Sequence, residues 1–571
     1  MKKSALILIL LLLFVIPSVF AVNGHIYALS VYESGTEQKG AIADIFLDIV
    51  PGNGRVFMDT YPLNELDLQI STQKAKNIAC KYVNKDCSKY DFVYTLRSNS
   101  GIIGGPSAGA AIAVLTSAML LNEQLNDSVA ITGVISSGGL IQNVGGLKAK
   151  IEAAAEHNIT TVLVPQLQIT EENDETTNLV EYGKERNVEV IKAQILGEAL
   201  YYFINLEHHK IAEEIKPSEG YTKLMKDVAE LICNRTEELG REVELDEGNF
   251  TERVEKAFAE NKWYTGASYC FSRNIQLQEK KLEQDGMDDA EADDLVIEYM
   301  EKSKEKRKSL DALTAKNVEV IMIINERLDM VDYFLKEFLN DKKNLNLLAV
   351  AIERYHNAEI WHPFLQIESE SLADKESIKN VCLSKIKEAN VVYSYLTKFA
   401  DARQFDSVKE SIVKAESQVE ENNYEMCTFL ASNANANMNI IMTVLYSDDN
   451  IDEIIALKLE SAKESIFRLQ NKGVFPILGY NYYEYANSLR EEDKQSALMY
   501  AEYAIEMSNL DIYFEKDMAH FDFEMRKINW TYNTTTMFAS GIILGLLVGI
   551  FFGYYRKKKR IKQFREKHNL N

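Results

Sequence analysis

The feature that most constrains this chain is a glycine-rich turn followed by an apolar helix. The turn reads Gly104-Gly105-Pro106-Ser107-Ala108-Gly109, and the segment from Ser107 to Leu121 is apolar on nearly every side of a helix. Because such a helix is stable only when other elements surround it, it predicts the centre of a folded domain. The turn also places the Ser107 hydroxyl at the positive end of that helix. Ser107 is therefore a candidate nucleophile, with a simple helix cap as the alternative.

A second glycine-rich segment opens another apolar helix and supplies a candidate base. It reads Gly145-Gly146-Leu147-Lys148-Ala149-Lys150. A lysine that apolar neighbours remove from water gives up its proton more easily and can then activate a serine hydroxyl. Lys150 is the candidate for this role, and a solvated helix lysine is the alternative. Thr132 is a candidate hydrogen-bond partner for the amine, or else only a strand residue.

Four short segments, taken in order, resemble the proteolytic domain of Lon proteases, which are Ser-Lys peptidases. They are the Pro-Ser-Ala-Gly box, the Thr132-Gly133 pair, the Gly-Gly-Leu-Lys-x-Lys box and Thr161-Val162-Leu163-Val164-Pro165. The resemblance covers residues 24–205 and implies an α+β Lon-protease-like catalytic domain. The alternation of strand and helix patterns over the same residues indicates an α/β or α+β domain.

The resemblance also implies the roles of individual residues. The nucleophile falls on Ser107, and the base falls on Lys150 rather than on Lys148. The supporting positions are Thr132, Gly105 and Pro106. The resemblance further implies polypeptide substrates, no cofactor, and a ring-shaped homo-oligomer that typically has six subunits.

One part of the Lon machinery has no counterpart in this sequence. Lon proteases are driven by an AAA+ ATPase module, whereas no Gly-x-x-x-x-Gly-Lys-Ser/Thr stretch occurs here. We therefore expect an ATP-independent serine endopeptidase that acts on unfolded or flexible polypeptides. The alternatives are a non-catalytic helical scaffold that retains a protease-like domain, and a protein that processes itself. A membrane-bound Lon-like protein without an ATPase resembles archaeal forms.

Residues 210–532 differ from the catalytic part in that strand patterns fade and acidic amphipathic helices follow one another. The segments Ala257 to Tyr264 and Gln418 to Tyr424 both contain an acidic-Asn turn and an aromatic residue between apolar helices. These patterns predict an all-α domain, for which an irregular helical bundle is favoured and the echo leaves helix-hairpin repeats as the alternative.

The two ends of the chain carry apolar runs. Residues 1–21 are typical of a signal peptide, with an uncleaved anchor helix as the alternative. Residues 537–555 have the length of a single transmembrane helix, and the basic tail 556–571 that follows predicts a cytoplasmic C-terminus. Gly541, Gly545, Gly549 and Gly553 would line one face of that helix. The expected location is therefore the cell membrane, with the catalytic and helical domains outside the cytoplasm.

Charge and cysteine content limit the remaining possibilities. The formal net charge of −23 argues against binding to nucleic acid. Among the six cysteines, Cys80 and Cys87 are close in sequence, which permits a local disulfide, while the others are equally consistent with buried thiols. Neither Cys-x-x-Cys nor His-Glu-x-x-His spacing occurs, so no metal site is predicted.

Overall fold

The computed structural model describes most of the chain up to residue 510. The described residues are 22–34, 37–61, 66–98, 105–166, 178–208, 211, 213–243, 248–311, 318–366, 375–397, 401–446, 451–510 and 556. The chain divides into a first unit, residues 1–515, and a second unit, residues 516–571. Arg556 is the described residue of the second unit, and the fold reported below is that of the first.

A mixed β-sheet organises the N-terminal part of the described chain. The strands are β1 (Val22–Ser34), β2 (Glu37–Pro51), β3 (Val56–Tyr61), β4 (Tyr90–Ser98), β5 (Val129–Ile131), β6 (Val134–Ile135), β7 (Ile141–Gln142), β8 (Thr161–Pro165) and β9 (Glu189–Ala193). Among the described residues, seven strands form one sheet in the order β3-β4-β2-β1-β5-β8-β9, and β6 and β7 form a separate antiparallel pair. Strand β2 is antiparallel to β1 and β4, whereas β5, β8 and β9 run parallel to β1.

The burial pattern of each strand follows from its place in the sheet. In β2, Ile45 and Leu47 are fully buried whereas Phe46 between them is 42% exposed, so one face of this strand packs on the core. In β5 all three residues are buried, because parallel strands in the middle of an α/β fold are covered on both faces. Two residues of the site described below, Thr132 and Gly133, follow directly after β5.

Helices cover the sheet, and one of them is buried along almost its whole length. They are α1 (Leu66–Tyr82), α2 (Gly109–Leu121), α3 (Leu147–Glu156), α4 (Leu179–Lys184) and α5 (Leu196–Ile204). All residues of α2 from Gly109 to Met119 are buried, as the apolar sequence predicts. The hydroxyl of Thr116 is satisfied inside this core, because it donates to the Ile112 carbonyl and lies 2.7 Å from the Tyr94 hydroxyl.

From residue 219 to residue 507 the regular elements of the described chain are all helical. The α-helices are α6 (Glu219–Glu242), α7 (Phe250–Ala259), α8 (Trp263–Asp285), α9 (Asp289–Asp311), α10 (Val318–Asn340), α11 (Leu345–Trp361), α12 (Lys375–Leu396), α13 (Asp406–Glu420), α14 (Tyr424–Tyr446), α15 (Ile451–Gln470), α16 (Ile477–Leu489) and α17 (Lys494–Met507). An α/β part followed by an all-helical part therefore fits the predicted order of fold classes.

Two of the helix connections share one turn geometry. Asn261, between α7 and α8, and Asn422, between α13 and α14, both have a positive φ, at 57° and 59°. In each turn the N–H of the following residue bonds the carbonyl five residues earlier, Lys262 to Ala257 and Asn423 to Gln418. Asparagine tolerates this left-handed conformation at the end of a helix. The sequence echo between these segments thus corresponds to the same turn in both places.

The helical part packs directly against the α/β part. One hydrophobic cluster contains Leu29 and Leu147 from the α/β part together with Tyr395 and Met438 from the helical part. A second cluster joins Leu140 to residues of the helical part. The two parts therefore share cores within a single compact unit.

The fold prediction was wrong in its last element, the single C-terminal transmembrane helix. Among the described residues, no helix is both long enough and apolar enough to cross a membrane. The predicted span 537–555 lies outside the described residues, as do the signal segment 1–21 and, apart from Arg556, the tail 556–571. The predicted single-pass location with extracytoplasmic domains is therefore not supported. An apolar run predicts shielding from water, but it does not decide whether lipid or protein provides that shielding.

Candidate active site

The candidate nucleophile lies in a short turn that is hydrogen-bonded to the segment just after strand β5. Ser107 is the middle residue of a 3₁₀ turn, Pro106–Ala108, which leads directly into α2. The residue in the cap position of α2 is Ala108, so Ser107 is not the helix cap that the sequence left open as an alternative. The Ser107 side chain is partly exposed to solvent. Its carbonyl accepts a hydrogen bond of 3.0 Å from the Gly133 N–H, and the Gly133 carbonyl accepts one from the Ala110 N–H.

The turn needs a glycine immediately before the proline. Gly105 has a φ of 83°, a conformation that other residues rarely adopt. Its N–H donates to Oδ2 of Asp67 at 3.1 Å, and the Pro106 carbonyl accepts a weaker hydrogen bond from the Ser71 hydroxyl at 3.4 Å. Helix α1 thus fixes the entry to the turn from one side, and Gly133 fixes its exit from the other.

The candidate base is buried and bonded to a hydroxyl. Lys150 lies in the first turns of α3 and is 1% exposed. Its Nζ donates a hydrogen bond of 3.0 Å to Oγ1 of Thr132, which is fully buried. The Thr132 N–H in turn bonds the Leu163 carbonyl on β8. Thr132 is therefore held by the sheet and positions the lysine amine.

Two adjacent residues connect both halves of the site. Thr132 bonds the Lys150 amine through its side chain, and Gly133 bonds the Ser107 turn through its backbone. A Cβ on Gly133 would lie 2.3 Å from Ile141 Cγ2, so the backbone can approach the turn only without a side chain. The structure therefore connects Lys150, through Thr132 and Gly133, to the turn that contains Gly105, Pro106 and Ser107.

Two ionisable residues near Lys150 in the sequence make other contacts. The Lys148 amine lies 5.7 Å from the ring centre of Tyr182. His157 is exposed and bonds the carbonyl of Ala153 in its own helix. Among the described residues, no group of three or more His, Cys, Asp or Glu side chains could hold a metal ion.

All six cysteines form disulfides. Cys80 and Cys87 are joined at the end of α1 with an S–S distance of 2.03 Å, and this is the local pair that the sequence permitted. Cys233 pairs with Cys270, and Cys382 pairs with Cys427. The sequence left these four open as thiols, because their partners are distant along the chain.

Sequence reasoning missed one residue of the helical part that reaches the site. The Tyr395 hydroxyl on α12 accepts a hydrogen bond of 3.3 Å from the Gly145 N–H. Its ring also lies near Gly105, because a Cβ built there would be 3.9 Å from Tyr395 Cε2. Tyr395 is 5% exposed and stands between the two glycine-rich segments. Nothing in the local sequence of α12 marks it, since its position there fits an ordinary buried helix face.

Comparison with known proteins identifies the segment that contains this site. Residues 68–202 match the Lon protease (S16) C-terminal proteolytic domain. An archaeal Lon protease of Methanothermobacter thermautotrophicus is 28% identical over 201 residues, which is 34% of this chain and 28% of that protein. An archaeal Lon protease of Thermococcus kodakarensis is 31% identical over 135 residues, or 23% of this chain and 21% of that protein. A Lon protease of Paraburkholderia phytofirmans is 33% identical over 136 residues, or 23% and 17%. The chain thus spans less than a third of the length of these relatives.

Proposed function

From the premise that residues 68–202 form a Lon-type proteolytic domain, we propose that the chain is a serine endopeptidase with Ser107 as nucleophile and Lys150 as base. The observation that carries this proposal is the position of Lys150. Its amine is buried and bonded to Thr132, and the next residue, Gly133, holds the Ser107 turn. A serine hydroxyl needs a neighbouring base to become a nucleophile, and a neutral lysine amine can serve as one.

The proposed reaction begins with proton transfer. The neutral amine of Lys150 takes the proton of the Ser107 hydroxyl while the oxygen attacks the carbonyl carbon of the scissile peptide. Backbone N–H groups of the Ser107 turn stabilise the negative oxygen of the tetrahedral intermediate. The protonated Lys150 then gives its proton to the departing amine, and an acyl-enzyme remains on Ser107. Water then takes the place of the departed amine: the neutral Lys150 takes a proton from it while its oxygen attacks the acyl carbon, and Lys150 returns that proton to the Ser107 oxygen as the acid product leaves.

Thr132 has a positioning role in this scheme. Its hydroxyl accepts a hydrogen bond from the Lys150 amine at 3.0 Å, which leaves the lone pair of a neutral amine directed elsewhere. The sheet keeps Thr132 in place through the bond from its N–H to Leu163. The amine is therefore already oriented when the substrate binds.

We propose further that this chain cleaves flexible polypeptides without ATP. The sequence contains no phosphate-binding loop of the Walker type that would drive unfolding. A substrate must then already be extended or unfolded when it reaches the partly exposed Ser107.

We also propose that the chain assembles as a ring-shaped homo-oligomer, for which six subunits is the number the family resemblance implies. Light scattering of the purified chain measures that number.

The test is proteolysis of an unfolded protein by the purified chain without ATP. We expect Ser107→Ala and Lys150→Ala each to lose at least about a thousandfold in kcat/KM, because each removes one member of a unit that acts together. Lys148→Ala is the matched control, since it removes a neighbouring lysine of the same helix that does not contact Thr132. We expect it to remain within about threefold of the wild type.

The outcomes separate the enzyme from its alternatives. Cleavage by wild type and Lys148→Ala alone supports the dyad and its independence from ATP. Cleavage by Ser107→Ala at the wild-type rate would overturn the assignment of the nucleophile. Absence of cleavage by a folded, oligomeric wild type favours a non-catalytic scaffold. A precursor that persists only in Ser107→Ala indicates self-processing.

A further inference from the structure

Helix α12 of the helical part meets the candidate active site at two separate places. Near its C-terminal end, Tyr395 stands between the two glycine-rich segments. Near its middle, Lys385 and Glu388 bond the turn at Ser137 and helix α1, respectively. Helix α12 lies outside residues 68–202, which match the Lon proteolytic domain. Any part that these contacts play in the proposed reaction is therefore a property of this chain beyond the matched segment.

The first contact holds the start of the helix that carries Lys150. The Tyr395 hydroxyl accepts a hydrogen bond of 3.3 Å from the N–H of Gly145, which is buried. The next residue, Gly146, is the N-cap of α3, and its carbonyl accepts the Lys150 N–H at 3.1 Å. A buried N–H that loses its acceptor must find another or stay unsatisfied at a cost in free energy. Removal of the Tyr395 hydroxyl is therefore expected to shift the turn from which the base's helix begins.

The ring of the same side chain lies beside the turn that carries Ser107. A Cβ built on Gly105 would be 3.9 Å from Tyr395 Cε2, which is ordinary van der Waals distance. Gly105 directly precedes the Pro106–Ala108 turn and is its N-cap. One tyrosine therefore lies against both glycine-rich segments, with its hydroxyl bonded to one and its ring beside the other.

Packing holds Tyr395 in place. The residue is 5% exposed and belongs to the hydrophobic cluster that contains Leu147 of α3 and Met438 of α14. Side chains in such a close-packed core keep one rotamer, and the phenol ring is rigid, so the position of the oxygen is set by the packing of the ring. The hydroxyl therefore offers Gly145 an acceptor at a fixed place.

The second contact fixes α12 against α1. Glu388 lies 3.2 Å from Lys74 on α1, with both side chains largely buried. Lys385 bonds the Ser137 hydroxyl at 3.1 Å. Helix α1 in turn holds the entry to the Ser107 turn. A buried ion pair tolerates little displacement, because separation would leave charges uncompensated away from water. These contacts therefore fix α12 relative to the helix that supports the nucleophile.

The two candidate catalytic residues stand on different elements, so their separation depends on how those elements are joined. Thr132 and Gly133 provide one connection through the bonds described above. Tyr395 provides a second connection that uses neither of these residues. Proton transfer needs its donor and acceptor within hydrogen-bond reach, and a misplacement of about 1 Å can cost about a hundredfold in rate. A residue that joins both segments can therefore affect the rate without contacting the substrate.

We propose that Tyr395 is a positioning residue of the proposed peptidase reaction. Its hydroxyl holds the start of the Lys150 helix, and its ring lies against the entry to the Ser107 turn. This inference rests on the roles proposed for Ser107 and Lys150. It makes the helical part, and not the matched segment alone, a requirement for full activity.

The test is steady-state proteolysis of an unfolded protein by the full chain without ATP. Tyr395→Phe keeps the ring and removes the hydroxyl. We expect kcat to fall about fivefold to tenfold with KM within about twofold, because the change disturbs orientation and not substrate binding. Tyr395→Ala also removes the ring, and we expect kcat to fall about a hundredfold. Phenylalanine should therefore recover part of the activity that alanine loses.

Tyr393→Phe is the matched control. It removes a hydroxyl from a partly buried tyrosine of the same helix, which packs against the same hydrophobic cluster as Tyr395. We expect its kcat and KM to stay within about twofold of the wild type.

A second measurement follows the contact itself in a chain that cannot cleave. Hydrogen exchange of the peptide that contains Gly145, measured by mass spectrometry in full chains that also carry Ser107→Ala, reports on the bond to Tyr395. We expect exchange there to be at least about fivefold faster in Tyr395→Phe and unchanged in Tyr393→Phe, because only the first removes the acceptor.

The outcomes separate this inference from the proposed function. An active wild type together with an unchanged kcat in Tyr395→Phe would overturn the positioning role and leave the proposed function intact. A rise in KM alone would overturn the positioning role as well, because it would place Tyr395 in substrate binding. Unchanged exchange at Gly145 in Tyr395→Phe would do the same. A folded wild type that cleaves nothing would overturn the proposed function and this inference together. If Tyr395→Ala does not fold, Tyr395→Phe decides alone.

Discussion

The α/β part and the helical part bury lysines in different ways. In the α/β part, Lys150 donates to the Thr132 hydroxyl at 3.0 Å. In the helical part, Lys385 bonds the carboxylates of Glu388 and Glu506, and Lys458 lies 2.8 Å from Glu502 with both side chains almost fully buried. Lys385 and Lys458 thus each have a carboxylate at contact distance.

The difference distinguishes a lysine that stabilises the fold from a lysine that could accept a proton. Burial by itself lowers the pKa of Lys385, but the carboxylates of Glu388 and Glu506 outweigh this and hold the pKa above its usual value. Such a lysine stays an ammonium and cannot accept a proton from a substrate or a serine. A hydroxyl partner orients an amine without opposing the loss of its proton. The carboxylates give Lys385 a structural role, and the hydroxyl partner of Lys150 is compatible with the role proposed for it.

The largest expected effect is on activity. Replacing Lys150 by methionine keeps the length and apolar stem of the side chain but removes the base. We expect kcat/KM to fall at least about ten-thousandfold, which exceeds 5 kcal/mol of transition-state stabilisation. Unfolding in urea should change by no more than about 1 kcal/mol, because the methionine fills the same buried space. Comparable losses of activity and of stability would show that Lys150 is structural, like Lys385.

The next effect is on stability alone. Glu506 is fully buried and accepts hydrogen bonds from Lys385 and from the Ser137 hydroxyl. We expect Glu506→Ala to lower the free energy of unfolding by about 3–5 kcal/mol, as breaking a buried pair does. The control is Asp452→Ala, whose pair with Lys494 is about half exposed and is worth at most about 1 kcal/mol. Equal losses in the two variants, measured by urea unfolding, would contradict the cohesive role.

A third effect concerns a buried carboxyl of the helical part. Burial raises the pKa of Glu484 to about 7 from its usual 4.5, although its Oε1 accepts a hydrogen bond from the Thr265 N–H. The folded chain thus holds this proton more tightly than the unfolded chain does. The associated stability is present below pH 4.5 and is lost as the pH rises through about 7.

Glu484→Gln keeps the acceptor for Thr265 and removes the titration. Between about pH 5 and pH 8 the wild type loses unfolding free energy as Glu484 ionises. We expect this loss to be about 2 kcal/mol smaller in Glu484→Gln. Glu420→Gln is the control, because Glu420 is exposed. Urea unfolding at several pH values measures both. Parallel pH curves for wild type and Glu484→Gln would contradict the assignment.

The smallest expected effect is that of the hydroxyl next to Lys150. We expect Thr132→Val to lower kcat about tenfold with little change in KM, since the amine loses its orientation but remains in place. Thr132→Ser retains the hydroxyl and should recover most of the activity. Failure of serine to rescue the activity would indicate that the methyl group, and not the hydrogen bond, is what matters.

How much of the site was predictable depends on how local its signals are. Ser107 and Lys150 stand in glycine-rich segments that must form particular turns, so their placement could be inferred from residues a few positions away. Asp67 and Tyr395 could not be found in this way. Their roles come from contacts with Gly105 and Gly145 that are made only in the folded chain. Pairings such as Cys382 with Cys427 are likewise invisible to periodicity, since a helix pattern predicts burial without naming the partner.

The fold, like the site, could be predicted only where its signals are local in the sequence. The alternation of strands and helices before residue 205, and the helices after it, follow from hydrophobic periodicity, and the Asn261 and Asn422 turns follow from the tolerance of asparagine for positive φ. The transmembrane expectation rested on the length and apolarity of residues 537–555 and on the basic tail after them, and it is contradicted because no helix of the described residues is long and apolar enough to cross a membrane. The packing of the helical part onto the site had no local signal, since it depends on the shapes of two finished surfaces.

The bond from Gly145 to Tyr395 has a consequence for biosynthesis. The α/β segment is complete once residue 205 has been synthesised, but Tyr395 follows about 190 residues later. At about 5–20 residues per second this delay is on the order of ten to forty seconds. During that interval a nascent chain carries Ser107 and Lys150 without the wall that α12 supplies. The nascent α/β segment therefore passes through a stage in which the Gly145 N–H has not yet gained its Tyr395 acceptor.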